Sequence, residues 1–404
     1  MKSEWKTSPL RDLVGFISKG IAPSYADEES ETTVRVLNQK CNRNFRITYS
    51  ESRLHDLSRK KVPTERFVRI DDILINSTGA GTAGRIAQIC NLPCDTIVDG
   101  HMIIIRANNK VSQKYLGYAM KAHQWEVLQL DEGSTGQTEL NRERLLDEIM
   151  ISYPTSFALQ EMIVKTLEGI DRKLLINEKV NDNLQQQAAA IFRSWFVDYV
   201  PFGGTVPDEW KNVTLEDITT LVSRGITPKY ADDTGQIVIN QKCIRNHMIE
   251  LSFARSHRPK VINNKWLQFG DLLINSTGDG TLGRAAQVWF QPHNLTVDSH
   301  VTIVRPAAEN MIFYIGLWGT QHEKEIESLH TGSTGQTELP RDRVKAIELL
   351  LPDKETLERF NALIAPMAAA IVSNQEENNR LASIRDALLP KLMSGKIDVS
   401  AIQL

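Results

Sequence analysis

The chain repeats itself once, and this repeat limits its fold more than any other feature. Short segments of the first half return in the same order in the second half, and the longest, GSTGQTEL, is identical at residues 133–140 and 332–339. The distance between matching residues falls from 205 to about 199, so the second copy carries two small deletions. A period this long exceeds that of solenoid repeats and predicts a duplicated domain. A chain of 404 residues has room for two to four domains.

The other repeated segments are short and rich in Gly, Asn and small polar residues. They are EWK at 4–6 and 209–211, K/R-GI-x-P at 19–23 and 224–228, NQKC at 38–41 and 240–243, INSTG at 75–79 and 274–278, and D-x-H at 99–101 and 298–300. Short apolar runs such as 73–75, 102–105 and 149–151 lie between turn residues, with a helical stretch at 115–130. This texture predicts a mixed α/β domain, of the α+β class, in each half.

Each half ends in a long segment with helical periodicity, at residues 155–196 and 353–393. Apolar residues and asparagines follow 4-3 spacing there, which is typical of a coiled-coil seam. The two seams match at an offset of 197 and consist of Ile163, Leu167, Ile170, Leu174, Asn177, Asn181 and Leu184, and of Ile364, Met367, Ile371, Asn374, Asn378 and Leu381. The matched asparagines favour pairing of the two helices over two independent amphipathic helices. Such helices would be roughly 50 Å long, and Pro366 is expected to kink the second.

Positive charge is concentrated at equivalent places in the two copies, although the net charge is −3. Residues 35–69 contain ten Lys or Arg against three acids, and residues 237–265 contain six against one. Segments of this kind attract polyanions locally. A solvated loop that is basic by chance is the alternative for one segment, but it is a poor explanation for two equivalent ones.

The residues give no sign of a catalytic centre or a metal site. Walker, DNA amino-methyltransferase, zinc-protease and nucleophile-elbow motifs are all missing from the sequence. The D-x-H pairs have no accompanying nucleophile, and Cys90 and Cys94 have no counterpart in the second copy. The INSTG and GSTGQTEL loops suit tight turns first, with phosphate contact as a secondary role. With no apolar run long enough to span a membrane and no signal peptide, we expect a cytoplasmic protein.

The chain contains, in this order, EWK, GI-x-P, NQK, INSTG-x-GT-x-GR, GSTGQ-x-EL and a long helix, and the whole series is duplicated. This duplicated order resembles that of type I restriction–modification specificity subunits over essentially the whole chain. The resemblance implies two target-recognition domains at 1–154 and 201–352. The spacer helices would lie at 155–200 and, with a C-terminal tail, at 353–404. They would form an antiparallel coiled coil in a pseudo-two-fold tandem repeat.

The resemblance also implies partners and cofactors. The partners are double-stranded DNA, DNA methyltransferase subunits (two are expected) and restriction/translocase subunits. The chain itself would be non-catalytic and bind no cofactor. S-adenosylmethionine, ATP and Mg would be bound by the partner subunits. The target would be a bipartite, near-palindromic site, because similar domains read similar half-sites on opposite strands.

The stretches in which the copies differ most, 42–66 and 244–265, are expected to read bases. Arginine is suited to this role because it binds guanine with two hydrogen bonds. The predicted DNA-binding residues are Lys40, Arg43, Arg46, Arg59, Lys60, Lys61, Ser77 and Thr78, and Lys242, Arg245, Arg255, Arg258, Lys260, Ser276 and Thr277. Among them, the expected base readers are Arg43, Arg46, Arg59 and Lys60 in the first domain and Arg245, Arg255, Arg258 and Lys260 in the second. Alternatives are a specificity subunit of a related type II split-site system, an assembly scaffold that does not bind DNA, and a stand-alone enzyme with an unrecognised centre.

Overall fold

The computed structural model describes residues 4–79, 81–132, 139–232, 234–258, 262–332 and 337–399. The chain divides into two compact units. Unit 1 consists of the described residues of Met1–Leu174 and Asn379–Leu404, and unit 2 of those of Leu175–Asn378. The division falls within the two long helices, so each unit contains one α/β domain and one half of each long helix.

The first copy of the repeat contains fourteen strands among its described residues. They are β1 (Trp5–Pro9), β2 (Val14–Lys19), β3 (Tyr25–Ala26), β4 (Thr33–Leu37), β5 (Asn42–Arg43), β6 (Arg46–Ile47), β7 (Arg53–Asp56), β8 (Ile73–Asn76), β9 (Ile86–Gln88), β10 (Thr96–Val98), β11 (Met102–Ala107), β12 (Asp131–Glu132), β13 (Glu139–Leu140) and β14 (Met150–Pro154).

The second copy has a closely similar set of strands within its described residues. They are β15 (Lys211–Thr214), β16 (Thr219–Arg224), β17 (Ile237–Ile239), β18 (Ile244–Arg245), β19 (Met248–Ile249), β20 (Arg255–Ser256), β21 (Leu272–Asn275), β22 (Ala285–Gln287), β23 (Leu295–Val297), β24 (Val301–Pro306) and β25 (Glu348–Leu351).

Helices follow the strands in both copies. They are α1 (Gln113–Ala122), α2 (Gln124–Val127), α3 (Arg142–Glu148), α4 (Phe157–Phe196), α5 (Ile312–Gln321), α6 (Glu323–Ser328), α7 (Arg341–Lys345) and α8 (Lys354–Met393). Polar residues begin two of them: the Ser112 hydroxyl accepts from the Tyr115 amide, and the Asn141 side chain accepts from the Arg144 amide. These bonds satisfy amides that have no partner within the helix.

The same two sheets recur in each unit. One is antiparallel, in the order β2-β11-β8-β9 in unit 1 and β16-β24-β21-β22 in unit 2. The other is mixed, in the order β10-β4-β7-β3 in unit 1 and β20-β17-β23 in unit 2, with parallel β10–β4 and β17–β23 pairs. An isolated Tyr230–His257 bridge stands in unit 2 where β3 pairs with β7 in unit 1, and the order of the other strands is equal in both copies, as a duplicated domain predicts.

Strand alternation explains why the runs before the INSTG loops are apolar throughout. In β8, Ile73 and Ile75 belong to the core shared with the helices, whereas Leu74 belongs to a second cluster on the other face of the sheet. In β21, Leu272 and Ile274 likewise pack on the helical side and Leu273 on the opposite side. Both faces of these strands are therefore buried, and the period-2 polar pattern of a half-exposed strand is absent.

In unit 2, the second half of α4 pairs with the first half of α8. Asn177 Nδ2 lies 2.9 Å from Asn378 Oδ1, and Asn374 Nδ2 lies 2.8 Å from Asn181 Oδ1. Phe360 packs against Phe196 farther along, with ring centroids 4.8 Å apart. Partner numbers fall in one helix as they rise in the other, so the pairing is antiparallel. The asparagine amides satisfy each other, which fixes the register of the pair.

In unit 1, the first half of α4 packs with the last part of α8. Ile163 and Leu167 share one buried cluster with Leu389 and Leu392. Toward the end of this packed segment, Arg385 Nη1 lies 3.1 Å from Asp171 Oδ1. Apolar seam residues are therefore joined by an ion pair here, in place of the asparagine pairs of unit 2.

The predicted fold class is confirmed: the chain is α+β, with two similar α/β domains and two long helices that pair antiparallel. Pro366 does not interrupt the second long helix, because α8 runs continuously from Lys354 to Met393 through an exposed Pro366, and the kink expected there stays a prediction. Among the described residues, we find no helix with the length and apolar character to cross a membrane.

Candidate nucleic-acid interface

The basic segment of the first copy folds into a hairpin with a two-residue tip. Strands β5 and β6 place Arg43 opposite Arg46, and Asn44 and Phe45 form the tip with φ angles of 52° and 60°. Two tip residues at positive φ are typical of type I′ turns, whose twist matches that of the strands. Arg43 is exposed and Arg46 half-buried. This first hairpin (42–47) therefore presents charge at its tip.

The second copy builds the same hairpin from a different sequence. Strands β18 and β19 place Arg245 opposite Met248, and the tip residues Asn246 and His247 have φ angles of 49° and 58°. The exposed Arg245 donates from Nε to the Lys242 carbonyl at 2.9 Å. The second hairpin (244–249) thus keeps the Arg-Asn of the first hairpin. It replaces Phe-Arg with His-Met.

The repeated NQK and INSTG motifs form the support beneath the hairpins. Asn76 Nδ2 donates to the Gln39 carbonyl at 3.1 Å, and Asn42 Nδ2 donates to Asn76 Oδ1 at 3.2 Å. Asn275 Nδ2 makes the same 3.1 Å bond to the Gln241 carbonyl in the second copy. These motifs therefore recur because they fix the backbone from which each hairpin extends.

Glycine is required at the end of INSTG. Gly79 has a φ of 112°, and a Cβ atom there would lie 2.4 Å from Thr82 Oγ1. Gly278 has a φ of 104°, with the same 2.4 Å approach to Thr281 Oγ1. Both the conformation and the space exclude a side chain, so the turn role expected of this loop has a direct physical cause.

The INSTG hydroxyls differ in accessibility. Thr78 Oγ1 lies 2.7 Å from His101 Nδ1, and Thr277 Oγ1 lies 2.7 Å from His300 Nδ1, with both histidines exposed. Ser77 and Ser276 are fully buried, and the Ser276 hydroxyl lies 2.5 Å from Thr302 Oγ1.

These positions correct the list of predicted DNA contacts. A buried hydroxyl cannot reach a DNA surface, so we no longer assign DNA contact to Ser77 and Ser276. Each serine directly follows a strand that is buried throughout, and the sequence pattern of small polar residues did not reveal this burial.

The D-x-H motifs form turns. Asp99 Oδ1 accepts from the His101 amide at 2.9 Å, and Asp298 Oδ1 accepts from the His300 amide at the same distance. Burial raises the pKa of both carboxyls, and these amide bonds oppose the shift. Each carboxylate thus stabilises a turn through the histidine backbone amide, and the histidine side chain contacts the neighbouring threonine.

The other predicted cations lie on or beside the mixed sheet. Arg59 is exposed and pairs with Asp56 at 3.2 Å, and the exposed Lys60 donates to the Ala22 carbonyl at 2.7 Å. Further predicted contacts that are exposed are Lys40, Lys61, Lys242, Arg255 and Arg258. Lys260 lies outside the described residues. The structure thus leaves most predicted cations accessible, but in two separate regions: one is the hairpin with the turn before it, and the other is the segment after β7 or the segment that begins with β20.

Two aromatic–arginine stacks were missed by the sequence reasoning. The Arg53 guanidinium lies 3.5 Å from the Tyr25 ring centroid, and Arg255 lies 3.6 Å from the Tyr230 ring centroid. Stacking holds these cations in a defined direction. The signal was present in the repeat, because Tyr and Arg occur at matching places in both copies, 28 residues apart in the first and 25 in the second.

A buried ion pair fixes the end of each basic segment. In unit 1, Arg106 binds Asp72 at 2.7 Å and donates to the Phe67 carbonyl. In unit 2, Arg305 binds Asp271 at 2.7 Å and donates to the Trp266 carbonyl. The pairs tie the loop after the cations to the central sheet. They hold that loop in the same place in both copies.

The first hairpin tip is seated on charged residues. Lys121 Nζ lies 4.9 Å from the Phe45 ring centroid and 3.5 Å from Asp171 Oδ2. Only 11% of the Lys121 side chain is exposed. Burial lowers the pKa of Lys121, and Asp171 opposes that shift. Phe45 therefore packs on an ion pair between α1 and α4.

The second tip borders a cavity of about 430 Å³. His247 Nε2 lies 3.6 Å from Glu323 Oε1, which also accepts from the Ala285 amide at 2.7 Å. Arg284 lines this cavity, although the sequence reasoning did not select it. The signal for it was the arginine that ends both Gly-Thr-x-Gly-Arg segments. The two tips thus share a backbone conformation but pack against different residues.

No group of three or more His, Cys, Asp or Glu side chains in the described part of the chain could hold a metal ion. Cys90 and Cys94 are both exposed and unpaired with each other as a disulfide.

Comparison with known proteins places this architecture. Residues 2–186 match the family described as "Type I restriction modification DNA specificity domain". The Type I restriction enzyme MjaIX specificity subunit of Methanocaldococcus jannaschii is 24% identical over 426 residues, covering 99% of this chain and 95% of the relative. The HindI specificity subunit of Haemophilus influenzae is 22% identical over 315 residues, covering 59% of this chain and 67% of the relative.

A solved structure shows the same fold. The S subunit of a type I restriction–modification system from M. genitalium superposes with a TM-score of 0.59 at 14% identity, over 97% of this chain and 96% of that one. The resemblance indicated by the repeated motifs is therefore confirmed: residues 2–186 match the type I specificity-domain family, and the chain is similar over nearly its whole length to a type I restriction enzyme specificity subunit.

Proposed function

We propose that this chain selects the DNA site of a type I restriction–modification complex, that it reads a bipartite sequence, and that it catalyses no reaction. Each α/β domain reads one half-site, with its hairpin as the principal reading element. The domains are 1–154 and 201–352, and the helical segments 155–200 and 353–404 form the spacer between them.

The observation that supports this proposal most strongly is the presence of two matching hairpins with an exposed arginine at the same place. Arg43 and Arg245 precede the tip in hairpins whose supports are built from the same repeated motifs. A two-stranded ribbon fits the major groove of DNA, and arginine there binds guanine O6 and N7. Two domains that recognise related DNA sequences are expected to share the motifs beneath the hairpins and to differ in the residues at the hairpin tips.

The proposed contacts divide into base readers and phosphate contacts. Arg43, Arg46 and Arg245 lie on the hairpins and are the proposed readers. The remaining accessible positions are proposed to hold the DNA backbone; they are Lys40, Arg59, Lys60, Lys61, Thr78, Lys242, Arg255, Arg258 and Thr277. Lys260, outside the described residues, stays a proposed contact on its charge alone. Backbone contacts set the position of the protein but carry no sequence information.

Methyl transfer and restriction are assigned to partner subunits. The paired helices α4 and α8 present exposed apolar side chains, including Ile176, Val180 and Ile384, which suit the docking of two methyltransferase subunits. S-adenosylmethionine would be bound by those subunits, and ATP and Mg by the restriction subunit.

The half-sites should be related but not identical. The shared Arg-Asn predicts one common base pair, while Phe45 against His247 and Arg46 against Met248 predict differences beside it. This sharpens the near-palindromic target expected from the sequence into two half-sites with a common part.

A genome-wide methylation map tests the proposal. The chain would be co-expressed with its methyltransferase partner in a methylation-free host, and modified adenines would be located by sequencing. We expect one split motif with two related halves. An assembled complex that methylates no motif, or binds DNA without dependence on salt, would instead support the assembly scaffold.

A further inference from the structure

We propose that Asp171, on the first long helix, is a positioning residue that holds the first hairpin against the paired helices and thereby sets the specificity of one half-site only. This inference rests on the proposed function, because it assumes that the hairpins read DNA. It assigns to the spacer helices an influence on sequence choice in the first domain that acts through a buried charged cluster, which the second domain does not share.

The contacts form an unbroken series within unit 1. The Phe45 ring at the hairpin tip packs on Lys121 of α1, and Lys121 Nζ lies 3.5 Å from Asp171 of α4. Asp171 also accepts from the Tyr118 hydroxyl at 2.9 Å and from Arg385 of α8 at 3.1 Å. One carboxylate therefore joins the hairpin, through α1, to both long helices.

Burial makes this arrangement sensitive to its geometry. The Lys121 side chain is only 11% exposed and pairs with Asp171, whereas Arg385, 16% exposed, pairs with both Asp171 and Asp386. Lys121 is therefore the cation that depends most on the shared carboxylate. A buried charge without a partner is strongly unfavourable. Asp171 consequently fixes the position of the Lys121 ammonium, on which the Phe45 ring packs.

The second copy has no counterpart of this series. The positions equivalent to Lys121, Asp171 and Arg385 are Thr320, Ala368 and Ala188. Both alanines are buried in an apolar cluster. The second hairpin instead contacts Glu323 beside the cavity, and its Met248 Sδ lies 3.8 Å from the uncharged amide of Gln375 on α8.

The chain therefore contains an internal control, because the same hairpin occurs once with the charged seat and once without it. Any effect that is specific to the seat should appear in residues 42–47 and be absent from 244–249.

The first arm of the test measures the hairpin without DNA. Hydrogen exchange of backbone amides would be compared between the full-length wild type and Asp171→Ala. We expect exchange at 42–47 to rise about 3- to 30-fold, with no change at 244–249. Glu168→Gln is the matched control, because Glu168 lies on the same helix and pairs with Lys114 away from the hairpin. Equal exchange in Asp171→Ala and wild type overturns the positioning role.

A second variant covers the case in which Asp171→Ala fails to fold. The triple variant Lys121→Thr, Asp171→Ala and Arg385→Ala copies the residues of the second copy and leaves neither buried cation behind. It should also release the first hairpin. Asp171→Glu, which keeps the charge, should restore most of the protection, and failure of both expectations contradicts the inference.

The second arm measures specificity in the assembled methyltransferase complex. Asp171→Ala should raise KM for the cognate site and relax discrimination in the first half-site, with the second half-site unchanged. Equal relaxation of both half-sites indicates a merely structural role and overturns the inference. A wild-type complex without a split motif overturns the proposed function together with this specificity effect. The exchange arm still decides, separately, whether Asp171 holds the hairpin.

Discussion

The two α/β domains share a framework and differ where the hairpins rest. Strand order, the glycine turns and the buried Asp–Arg pairs recur almost unchanged. The seats do not recur: Phe45 packs on a buried charged cluster, whereas His247 borders a cavity. After duplication, the framework has therefore been kept by the demands of folding. The tips and their seats were free to change, as expected where function is carried by loops on a rigid scaffold.

The largest expected effect tests the shared framework. Asp72→Ala and Asp271→Ala each leave a buried arginine unpaired and should destabilise their own unit by about 3–5 kcal/mol. Chemical denaturation followed by fluorescence would measure the loss. Conservative Asp→Asn variants serve as the milder comparison. Very different losses in the two units would contradict a common framework.

The next effect concerns the readers. Arg43→Ala should relax the first half-site and Arg245→Ala the second, each by about 1–3 kcal/mol of discrimination. Methylation maps of the two variant complexes would show which half of the motif degenerates. Lys61→Ala is the control: it should weaken all sites equally and lower the dependence of affinity on salt. If neither arginine variant alters its half-site, the assignment of readers is wrong.

The helix pairing offers an effect of similar size that is confined to unit 2. Asn181→Ala leaves the Asn374 amide without its 2.8 Å partner and should cost about 1–3 kcal/mol. Replacing both asparagines by leucine should be nearly neutral or stabilising, because no polar group then remains unpaired. Thermal unfolding of the single and double variants would measure this. A double variant as unstable as the single one would show that the amide pair is not the cause.

The smallest effect distinguishes the turn role of INSTG from DNA contact. Thr78→Val removes the partner of His101 and should cost about 0.5–1.5 kcal/mol of stability. The choice of half-site should remain as in wild type, since a turn or phosphate contact carries no sequence information. Thr78→Ser keeps the hydroxyl and is the matched control. A changed motif in the Thr78→Val map would place this residue among the readers.

Local patterns made most of the fold predictable. The repeat predicted two equivalent domains, the 4-3 spacing predicted the long helices, and the runs at 73–75 and 102–105 became β8 and β11. The helical stretch at 115–130 is in fact two helices, α1 and α2, separated at His123. Where a pattern extends over several turns or strands, it reflects packing directly.

The interface was harder to predict because its geometry depends on distant residues. The hairpins lack the Asn-Gly signal of a type I′ turn, since Phe45 and His247 occupy the position where glycine is favoured. The Asp72–Arg106 pair joins residues 34 apart, and the contact of Asp171 with Arg385 joins residues 214 apart. Contacts between residues so far apart produce no periodic pattern in the sequence. Charge counts located the basic segments but did not distinguish exposed hydroxyls from buried ones.

The hairpin tips also have a consequence for the evolution of new specificities. Phe45 and His247 have φ angles of 60° and 58°, in a region that glycine occupies more easily than any bulky residue. An aromatic ring nevertheless occupies this position at both tips, although the backbone conformation there is unfavourable for folding. Because the support beneath each tip is built from other residues, a lineage could exchange these rings one at a time. Each exchange would alter the DNA sequence that one domain recognises and leave the supporting framework unchanged.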